Sequence, residues 1–410
     1  MSWSLYLALK QLFPTGKKVS FFAVMSMLGV ALGVAVLLCV SSVMNGFGKE
    51  IREKLIEVNG HLQIYGDGIL ENPEALAARL AKDPEVAGAT PLSEGVVMIQ
   101  YLNRPAFPGV RGLDPDSAES VIPLKKYMLD GSLDDLEDDS VLLSSQLAAS
   151  LGAYAGQEVD MFTPLMLDRL KKDEVLLPKT LRVAGIFETG WSQVDANTAV
   201  ITLRLMRELY ALNDGAHKIA VRLKDAGTDI GRTMKAAERF NADLLKPPLT
   251  AMTWMDGNRE FLNILLLEKT VMVFIMFLIL VVAAFSIMTS LHTSVVRKTR
   301  EIGLLGALGA VSRRTAAVFC WQGFVIGVAG SVLGVLLALL LLHYRNAIVG
   351  LFMDPLTMAK YYQFLSFPVD YAASDFVKVV LFAILAATAA GLLPAWRAAR
   401  IKPSETLRHE

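Results

Sequence analysis

Few of the side chains that could do chemistry stand at the spacings that such chemistry requires. The chain has no H-E-x-x-H zinc motif and no G-x-S-x-G nucleophile turn. Gly16, Lys17 and Lys18 lack the upstream glycine and the Ser or Thr of a phosphate-binding loop. The histidines are too scattered to suggest a metal cluster; they are His61, His217, His292, His343 and His409. We therefore expect no catalytic residue, no metal or cofactor, and no ATP hydrolysis by this chain alone.

The cysteines and the acidic cluster also favour plain structural roles. Cys39 and Cys320 both lie within apolar runs, so neither a disulfide framework nor a metal site is expected. Leu38 precedes Cys39, whereas a lipoprotein-processing site needs a small residue there, and we expect that the chain is not lipidated. Residues 134–139 carry five carboxylates whose spacing does not fit a calcium-binding EF-hand. We expect them in a solvated loop.

The hydrophobic content, 53% of 410 residues, indicates a membrane protein. A helix of about twenty apolar residues crosses a bilayer, and four runs are long enough: residues 21–43, 270–292, 316–342 and 377–394. The first run is longer than the core of a signal peptide and ends in Ser-Ser-Val-Met-Asn-Gly-Phe rather than in a cleavage site. It is predicted to be an uncleaved signal anchor.

Basic residues set the predicted orientation of these spans. Lys and Arg cluster before the first span, between residues 297 and 314, and after the fourth span, whereas the loop between the last two spans carries only Arg345 and Lys360. By the positive-inside rule, both termini and residues 293–315 are cytoplasmic, and residues 44–269 and 343–376 lie outside. Residues 1–20 are expected to form an interfacial helix, and residues 395–410 a cytoplasmic tail. Only Lys378 intrudes into a span, near its end, which disfavours an ion-driven transporter.

The long segment 44–269 has the pattern of an α+β domain. Strands are predicted at residues 61–65, 96–101, 106–110, 158–162, 181–187, 199–202 and 219–223. Helices are predicted at residues 72–82, 144–151, 203–212 and 229–240, the last with Asp229 as its N-cap. The predicted fold is an α-helical membrane protein with four transmembrane helices and a large α+β extracytoplasmic domain inserted between the first and second.

Two parts of this domain suggest function. Residues 161–179 are too long for a tight hairpin turn and form a predicted arm whose apolar residues need either self-packing or a partner surface. Its candidate contact residues are Pro164, Leu165, Met166, Leu167, Leu176 and Pro178. The run from Trp254 into the second span has no proline, and we expect one continuous rigid helix there.

A basic segment punctuated by glycine, residues 296–314, joins the second and third spans. At about 100° per residue, Gly303, Gly306, Ala307 and Ala310 fall on one side of a helix, with Leu304, Leu305 and Leu308 opposite. Each glycine within a helix costs about 1 kcal/mol against alanine, so the small side is expected to fit against something. The alternative is an ordinary connecting loop.

These residues carry a resemblance to a known family. The segment containing Arg297, Arg300, Glu301, Ile302, Gly303, Leu305, Ala307 and Gly309 resembles the coupling helix of MacB/FtsX-type ABC transporter permeases. The Ser-Val-Met-Asn-Gly-Phe at residues 42–47 resembles the signature of the lipoprotein-releasing LolC/LolE permeases. Further matches at residues 110–115, 147–152, 267–269, 282–287, 394–399 and 403–407 extend the resemblance over the whole chain.

The resemblance implies a permease subunit in the inner membrane of a Gram-negative bacterium. Its partners would be an ATPase subunit dimer, which holds ATP and Mg, a second permease that is the same or a sister chain, a lipoprotein substrate, a periplasmic carrier and membrane lipids. The net charge of zero gives no indication of nucleic acid. The ATPase-coupling residues would be Arg300, Glu301, Gly303, Leu305, Gly306 and Gly309.

The same resemblance places a cavity for acyl chains between two permease subunits, enclosed by their first and second spans. Its path residues would be Val40, Val43, Met44, Asn45 and Phe47, with Asn45 and Gly46 breaking the helix. The arm at residues 161–179 would hold the carrier. One alternative is a MacB/FtsX-like permease for other substrates or for control of cell-wall hydrolases, although a MacB-like chain is expected to carry an ATPase ahead of the first span. The other alternative is a membrane receptor that transports nothing and whose outer domain binds a ligand.

Overall fold

The computed structural model describes residues 3–13, 21–163, 178–351 and 368–400. The described residues divide into two compact units. We call them the helical unit, residues 3–13, 21–48, 264–351 and 368–400, and the sheet unit, residues 49–163 and 178–263. The helices α1 to α15 are, in chain order, Trp3–Leu12, Phe21–Asn59, Pro73–Leu80, Pro115–Ala118, Ser145–Leu151, Ser192–Asp195, Leu203–Tyr210, Ile230–Arg239, Trp254–Gly257, Arg259–Arg297, Thr299–Ala307, Ser312–His343, Arg345–Gly350, Ala373–Ala390 and Leu392–Ala399.

The four predicted apolar helices are present in the described chain. Those long and apolar enough to cross a membrane are Phe21–Asn59, Arg259–Arg297, Ser312–His343 and Ala373–Ala399. The first two extend well beyond the predicted spans because the polar residues that follow or precede the apolar runs are also good helix formers. Among the described residues, the chain therefore has the helices of a polytopic membrane protein.

Glycines on α12 allow the helical unit to pack closely. A Cβ at Gly330 or Gly334 would lie within 2.7 Å of atoms of α2, and one at Gly323 or Gly327 within 2.9 Å of atoms of α14. Small residues permit this close approach between apolar helices. The amphipathic α1 docks on the same helix, where Gln322 donates a hydrogen bond of 2.8 Å to Gln11.

The sheet unit contains one mixed sheet. Its strands β1 to β12 are Leu62–Tyr65, Val86–Val96, Met98–Tyr101, Arg104–Ala106, Gly109–Leu113, Met128–Gly131, Ser140–Ser144, Glu158–Phe162, Lys179–Phe187, Thr198–Thr202, Lys218–Leu223 and Thr250–Thr253. The order is β12-β1-β11-β2-β5-β10-β7-β9-β8-β3-β4, with β6 also paired to β9. The β5–β10 and β7–β9 pairs are parallel and the other pairs antiparallel.

Apolar clusters cover the sheet beneath the amphipathic helices. One cluster includes Leu147 and Leu151 of α5 with Leu205 and Met206 of α7. A second includes Leu80 of α3. Asp229 accepts backbone hydrogen bonds from Gly231 and Arg232, which confirms it as the N-cap of α8.

Several predicted boundaries are wrong, each for a physical reason. The predicted strand at residues 106–110 divides between β4 and β5, because the chain turns at Phe107 and Pro108. The strands β2, β6, β7 and β12 were not predicted. Of these, β2 and β7 are buried on both faces over most of their length, and their sequences lack the polar-apolar alternation of a half-exposed strand. The continuous helix from Trp254 is also wrong, since Asn258 has φ −123° and separates α9 from α10.

The acidic cluster lies on the surface as predicted. Asp134 and Asp135 are exposed, and the Nζ atom of Lys125 lies 2.6 Å from a carboxylate oxygen of Asp134. Asp138 pairs with Arg204 and accepts a hydrogen bond from Thr202, the N-cap of α7. Within the described ranges, no group of three or more His, Cys, Asp or Glu side chains is placed to hold a metal ion.

Candidate functional site

The helical unit encloses an apolar cavity of about 430 Å³ between α2, α10 and α14. Its volume falls in the range of small-molecule sites, about 300–1,000 Å³. Three methionines, Met44, Met272 and Met276, contribute to its wall. Methionine is unbranched and adapts to irregular shapes, so the wall can accommodate flexible hydrocarbon. The other apolar lining residues are Leu37, Val40, Val273, Phe277, Leu280, Val379 and Phe382.

One part of the cavity wall is polar and charged. Ser41 and Asn45 of α2 both donate to Oδ2 of Asp375, at 3.0 and 2.7 Å. The ammonium of Lys378 lies 3.7 Å from Oδ1 of the same carboxylate, and Lys269 also lines the cavity. The carboxylate therefore joins α2 to the first turn of α14, where the helix dipole favours a negative charge. The arrangement combines an apolar space with a fixed polar group and two cations.

The structure brings together part of the predicted path. Val40, Met44 and Asn45 line the cavity, whereas Val43 and Phe47 are half-buried and do not. The predicted walls were the first and second spans of two subunits, whereas this cavity lies within one chain and α14 forms its third wall. Asp375 was missed, although its spacing of three from Lys378 at the start of an apolar run was a readable signal.

The prediction that Asn45 and Gly46 break the helix is wrong. The helix α2 runs unbroken from Phe21 to Asn59. A Cβ at Gly46 would lie 2.5 Å from backbone atoms of Pro368 and Val369, so this glycine allows a second chain segment to cross the helix. The backbone N–H of Asp370 then donates to the carbonyl of Ser42 at 3.0 Å. Gly46 therefore marks the point where residues 368–370 cross α2, not the end of that helix.

The basic segment after α10 forms the short helix α11. Ile302 anchors it within a buried cluster that includes Val295, Phe319 and Ala398. The helix ends because Gly309 adopts φ +91°, and the N–H of Ala310 returns to the carbonyl of Leu305 at 3.0 Å. This left-handed glycine ending is common at helix C-termini.

The surface of α11 differs from the one predicted. Gly303 is buried and Gly306 and Leu305 are half-buried, because Gly303 follows the anchoring Ile302 and faces the chain itself. Arg300, Glu301 and Gly309 are exposed, as are two leucines that the prediction assigned to the other side, Leu304 at 53% and Leu308 at 78%. An outward contact of this helix would therefore use the leucines.

The predicted arm falls largely outside the described residues. Pro164, Leu165, Met166, Leu167 and Leu176 belong to residues 164–177, which the structure does not describe. Pro178 is half-buried directly before β9. Carrier binding by this arm stays a prediction.

Comparisons with known proteins agree with both units. Residues 23–240 match the MacB-like periplasmic core domain, and residues 273–403 match the C-terminal domain of FtsX-like permeases. The lipoprotein-releasing system transmembrane protein LolC of Xylella fastidiosa is 32% identical over 405 residues, which cover 96% of this chain and 95% of that protein. This chain belongs to the LolC/LolE family.

Other relatives extend the comparison beyond LolC. The transmembrane protein LolE of Haemophilus influenzae is 25% identical, over 95% of this chain and 94% of that protein. The macrolide export ATP-binding/permease protein MacB of Pasteurella multocida is 24% identical over 94% of this chain but only 58% of its own length. The chain thus matches LolC and LolE nearly end to end and MacB in part. As a LolC/LolE protein with four apolar helices, it is a membrane protein.

Proposed function

We propose that this chain is the permease subunit of an ABC transporter that extracts lipoproteins from the inner membrane of a Gram-negative bacterium and passes them to a periplasmic carrier. Separate subunits hydrolyse the ATP. The observation that carries this proposal is the methionine-rich cavity between α2, α10 and α14, in a chain that aligns nearly end to end with lipoprotein-releasing proteins. Such a cavity suits acyl chains, which need an apolar and adaptable wall.

The apolar and polar parts of the cavity wall suit different parts of a lipid anchor. Removing an acyl chain from a bilayer costs about 0.8 kcal/mol per buried CH₂, and an apolar cavity offsets that cost until ATP-driven movement releases the lipid. Asn45, Asp375 and Lys378 offer polar contacts to the ester and amide groups of the anchor. Lys269 and Lys378 also lie where a membrane phospholipid could compete for the same space.

The helix α11 is the proposed contact with the ATPase dimer, which would supply ATP and Mg²⁺. Leu304 and Leu308 are exposed beside the charged Arg300 and Glu301. Exposed leucines of a short helix fit a hydrophobic groove on a partner. The orientation from the positive-inside rule supports this role, because it places α11 and both termini in the cytoplasm, and residues 44–269 and 343–376 in the periplasm.

A second permease subunit, the same chain or a sister, would complete the transporter. Long apolar side chains of α10 are exposed within this chain, among them Phe274 at 60% and Phe285 at 58%. Lipid or another permease can cover them. The arm at residues 161–179 is proposed to hold the carrier.

A separate observation favours a second candidate function. The MacB-like periplasmic core domain also suits a permease that transmits movement for export of other substrates or control of cell-wall hydrolases. Such a protein does not need an acyl-chain cavity.

Co-purification tests the choice between these functions. A tagged chain is extracted in mild detergent without ATP, and the bound proteins and acylated peptides are identified by mass spectrometry. The proposed function predicts an ATPase, a permease and lipoproteins with intact acyl chains. An ATPase and permease with a cell-wall hydrolase and no lipoprotein would favour the second candidate.

A further inference from the structure

The sheet unit contains a second pocket, of about 480 Å³ and mostly polar, which the proposed function does not use. It lies among the last turn of α2, the strands β1, β2, β5 and β11, and the segment from Trp191 to Thr198. Gly257 and Asn258, directly before α10, complete it. We call it the amide pocket, because Asn59, Gln63, Gln193, Asn197 and Asn258 all line it.

The charged groups of the amide pocket form a closed network. The Oε1 and Oε2 atoms of Glu94 lie 3.3 Å from Nε of Arg111 and 2.7 Å from Nζ of Lys218. The same ammonium, with its side chain 6% exposed, lies 3.3 Å from Oε1 of Gln63 and 3.5 Å from the hydroxyl of Tyr65. Two cations against one carboxylate leave the network with one net positive charge.

The pKa directions agree with this network. Burial alone would raise the pKa of Glu94, but Arg111 and Lys218 hold that pKa below its ordinary value. Burial lowers the pKa of Lys218, and the neighbouring Glu94 opposes that effect. The ion pairs therefore occupy the ammonium and the carboxylate, and the remaining hydrogen-bonding capacity of the pocket belongs to amides and the guanidinium.

The carboxamides present both donors and acceptors. The Nδ2 atoms of Asn197 and Asn258 donate to the carbonyls of Phe107 and Trp254, at 2.8 and 2.7 Å, which identifies Oδ1 of each as the remaining acceptor. Gln193 makes no hydrogen bond to another residue of the described chain, so its whole amide remains available. Mixed donors and acceptors match the N–H and C=O groups of a peptide backbone.

The pocket wall also includes two glycines on neighbouring strands. Gly95 of β2 and Gly109 of β5 both line it. A Cβ at Gly109 would have no described atom nearer than 3.8 Å, so the Cβ of a larger residue fits there without a clash. A Cβ at Gly95, in contrast, would lie 2.4 Å from the ring of Tyr210.

We infer that the amide pocket binds an extended stretch of polypeptide that is neutral or acidic. On the proposed function, on which this inference rests, that stretch is the part of the lipoprotein that follows its lipid anchor. An inorganic anion fits less well, because the three donors of Lys218 are already occupied and the Asn oxygens and Glu94 would face it. A basic peptide is disfavoured by the net positive charge.

Two synthetic lipopeptides test the inference. Both carry the same diacylglyceryl-cysteine anchor, one with a two-residue tail and one with a twelve-residue neutral tail, and binding to the purified transporter in nanodiscs is measured. The substitution Gly109→Val narrows the pocket. Gly350→Val is the matched control, since Gly350 also has open space around it and lies outside the pocket. We expect Gly109→Val to weaken binding of the long-tail lipopeptide about tenfold, which corresponds to the loss of one or two hydrogen bonds. Binding of the short-tail lipopeptide to this variant, and binding of both lipopeptides to the Gly350→Val control, should be unchanged.

The other outcomes overturn the inference. If Gly109→Val weakens the binding of both lipopeptides equally, or of neither, the tail does not bind in the pocket. Displacement of the long tail by inorganic phosphate in the wild-type protein identifies an anion site instead. A photo-crosslinking residue at Gln193 provides a measurement independent of Gly109→Val folding, with attachment to the tail expected and attachment only to phospholipid contradicting it. If neither lipopeptide binds the wild-type transporter, the proposed function fails and this inference with it.

Discussion

Asp375 links two helices of the helical unit through its carboxylate. It accepts hydrogen bonds from two side chains of α2 and pairs with Lys378. A carboxylate at the start of a helix is ordinary in a sequence, because the dipole favours it there. Its partners, Ser41 and Asn45, are more than 300 residues away in the chain, so only the structure shows that it joins two helices.

The substitution Asn45→Leu should destabilise the helical unit by about 1–3 kcal/mol, because it removes one of the two donors of α2 to the Asp375 carboxylate. Asn45→Leu with Asp375→Leu should cost less than the sum of the two single changes, since neither polar group is then left without its partner. Thermal unfolding in detergent measures all three variants. Strictly additive losses would show that the hydrogen bond between Asn45 and Asp375 contributes nothing.

His61 makes the stability of the sheet unit depend on pH. Its Nε2 lies 3.0 Å from the carbonyl of Gly227, and its Nδ1 accepts from the N–H of Leu223 at 3.3 Å, so the folded ring is neutral. Burial lowers the pKa of His61 below 6.5. Below about pH 6.5 the unfolded chain binds a proton that the folded chain does not. Stability should therefore be complete above that pH and fall as the pH decreases.

Tryptophan fluorescence of thermal unfolding between pH 5 and 8 measures this effect. His61→Gln should reduce the pH dependence of the unfolding temperature, and His217, whose pKa burial also lowers, should retain part of it. An unchanged pH dependence in His61→Gln would contradict the assignment.

At the scale of elements, the sequence was informative where the apolar pattern of a helix or strand is regular. The amphipathic α7 and α8 and the strands β1, β8 and β11 were predicted close to their observed bounds. The strand β2 was not predicted, because it contains Pro91 and Gly95, residue types that are uncommon in strands. The predicted cavity lies between two subunits; the cavity within this chain was not predicted, since sequence spacing cannot show that α14 packs beside α2.

The crossing at Gly46 predicts a contrast between two glycines of the same helix. Gly46→Ala should destabilise the protein by about 1–3 kcal/mol, because its Cβ would lie 2.5 Å from the backbone of Pro368. Gly33→Ala is the control: its Cβ would meet no atom nearer than 3.8 Å, so higher helix propensity should make it neutral or stabilising. Equal unfolding temperatures for the two variants would contradict the close crossing.

The helix α11 predicts which side chains reach the ATPase. Replacing both Leu304 and Leu308 by alanine should reduce ATPase co-purification about tenfold, since each exposed leucine would lose apolar burial at the contact. Leu351→Ala is the control, because Leu351 is 82% exposed outside this helix. If the double variant binds and stimulates the ATPase normally while Gly306→Leu loses ATPase binding, the side of α11 with the small residues would be the contact instead.

For the whole molecule, composition and the distribution of charge along the chain predict more about the fold and topology than the net charge does. A net charge of zero is uninformative, whereas the position of the basic residues between apolar runs predicts topology. The four apolar helices and the mixed α+β domain were predicted, and the family comparisons agree with the lipoprotein-releasing resemblance. Orientation and partners depend on assembly in a membrane and stay proposals.

We expect the acyl chains of a lipoprotein to occupy the cavity between α2, α10 and α14. A photo-crosslinking residue at Met276, which lines it, is the most direct measurement, with Leu351 as an exposed control position outside the lining. In the assembled transporter without ATP, the residue at Met276 should crosslink to the acyl chains of a lipoprotein, and ATP together with the carrier should abolish the crosslink. Crosslinks only to other transmembrane helices, or lipoprotein crosslinks that ATP and carrier leave unchanged, would contradict the claim.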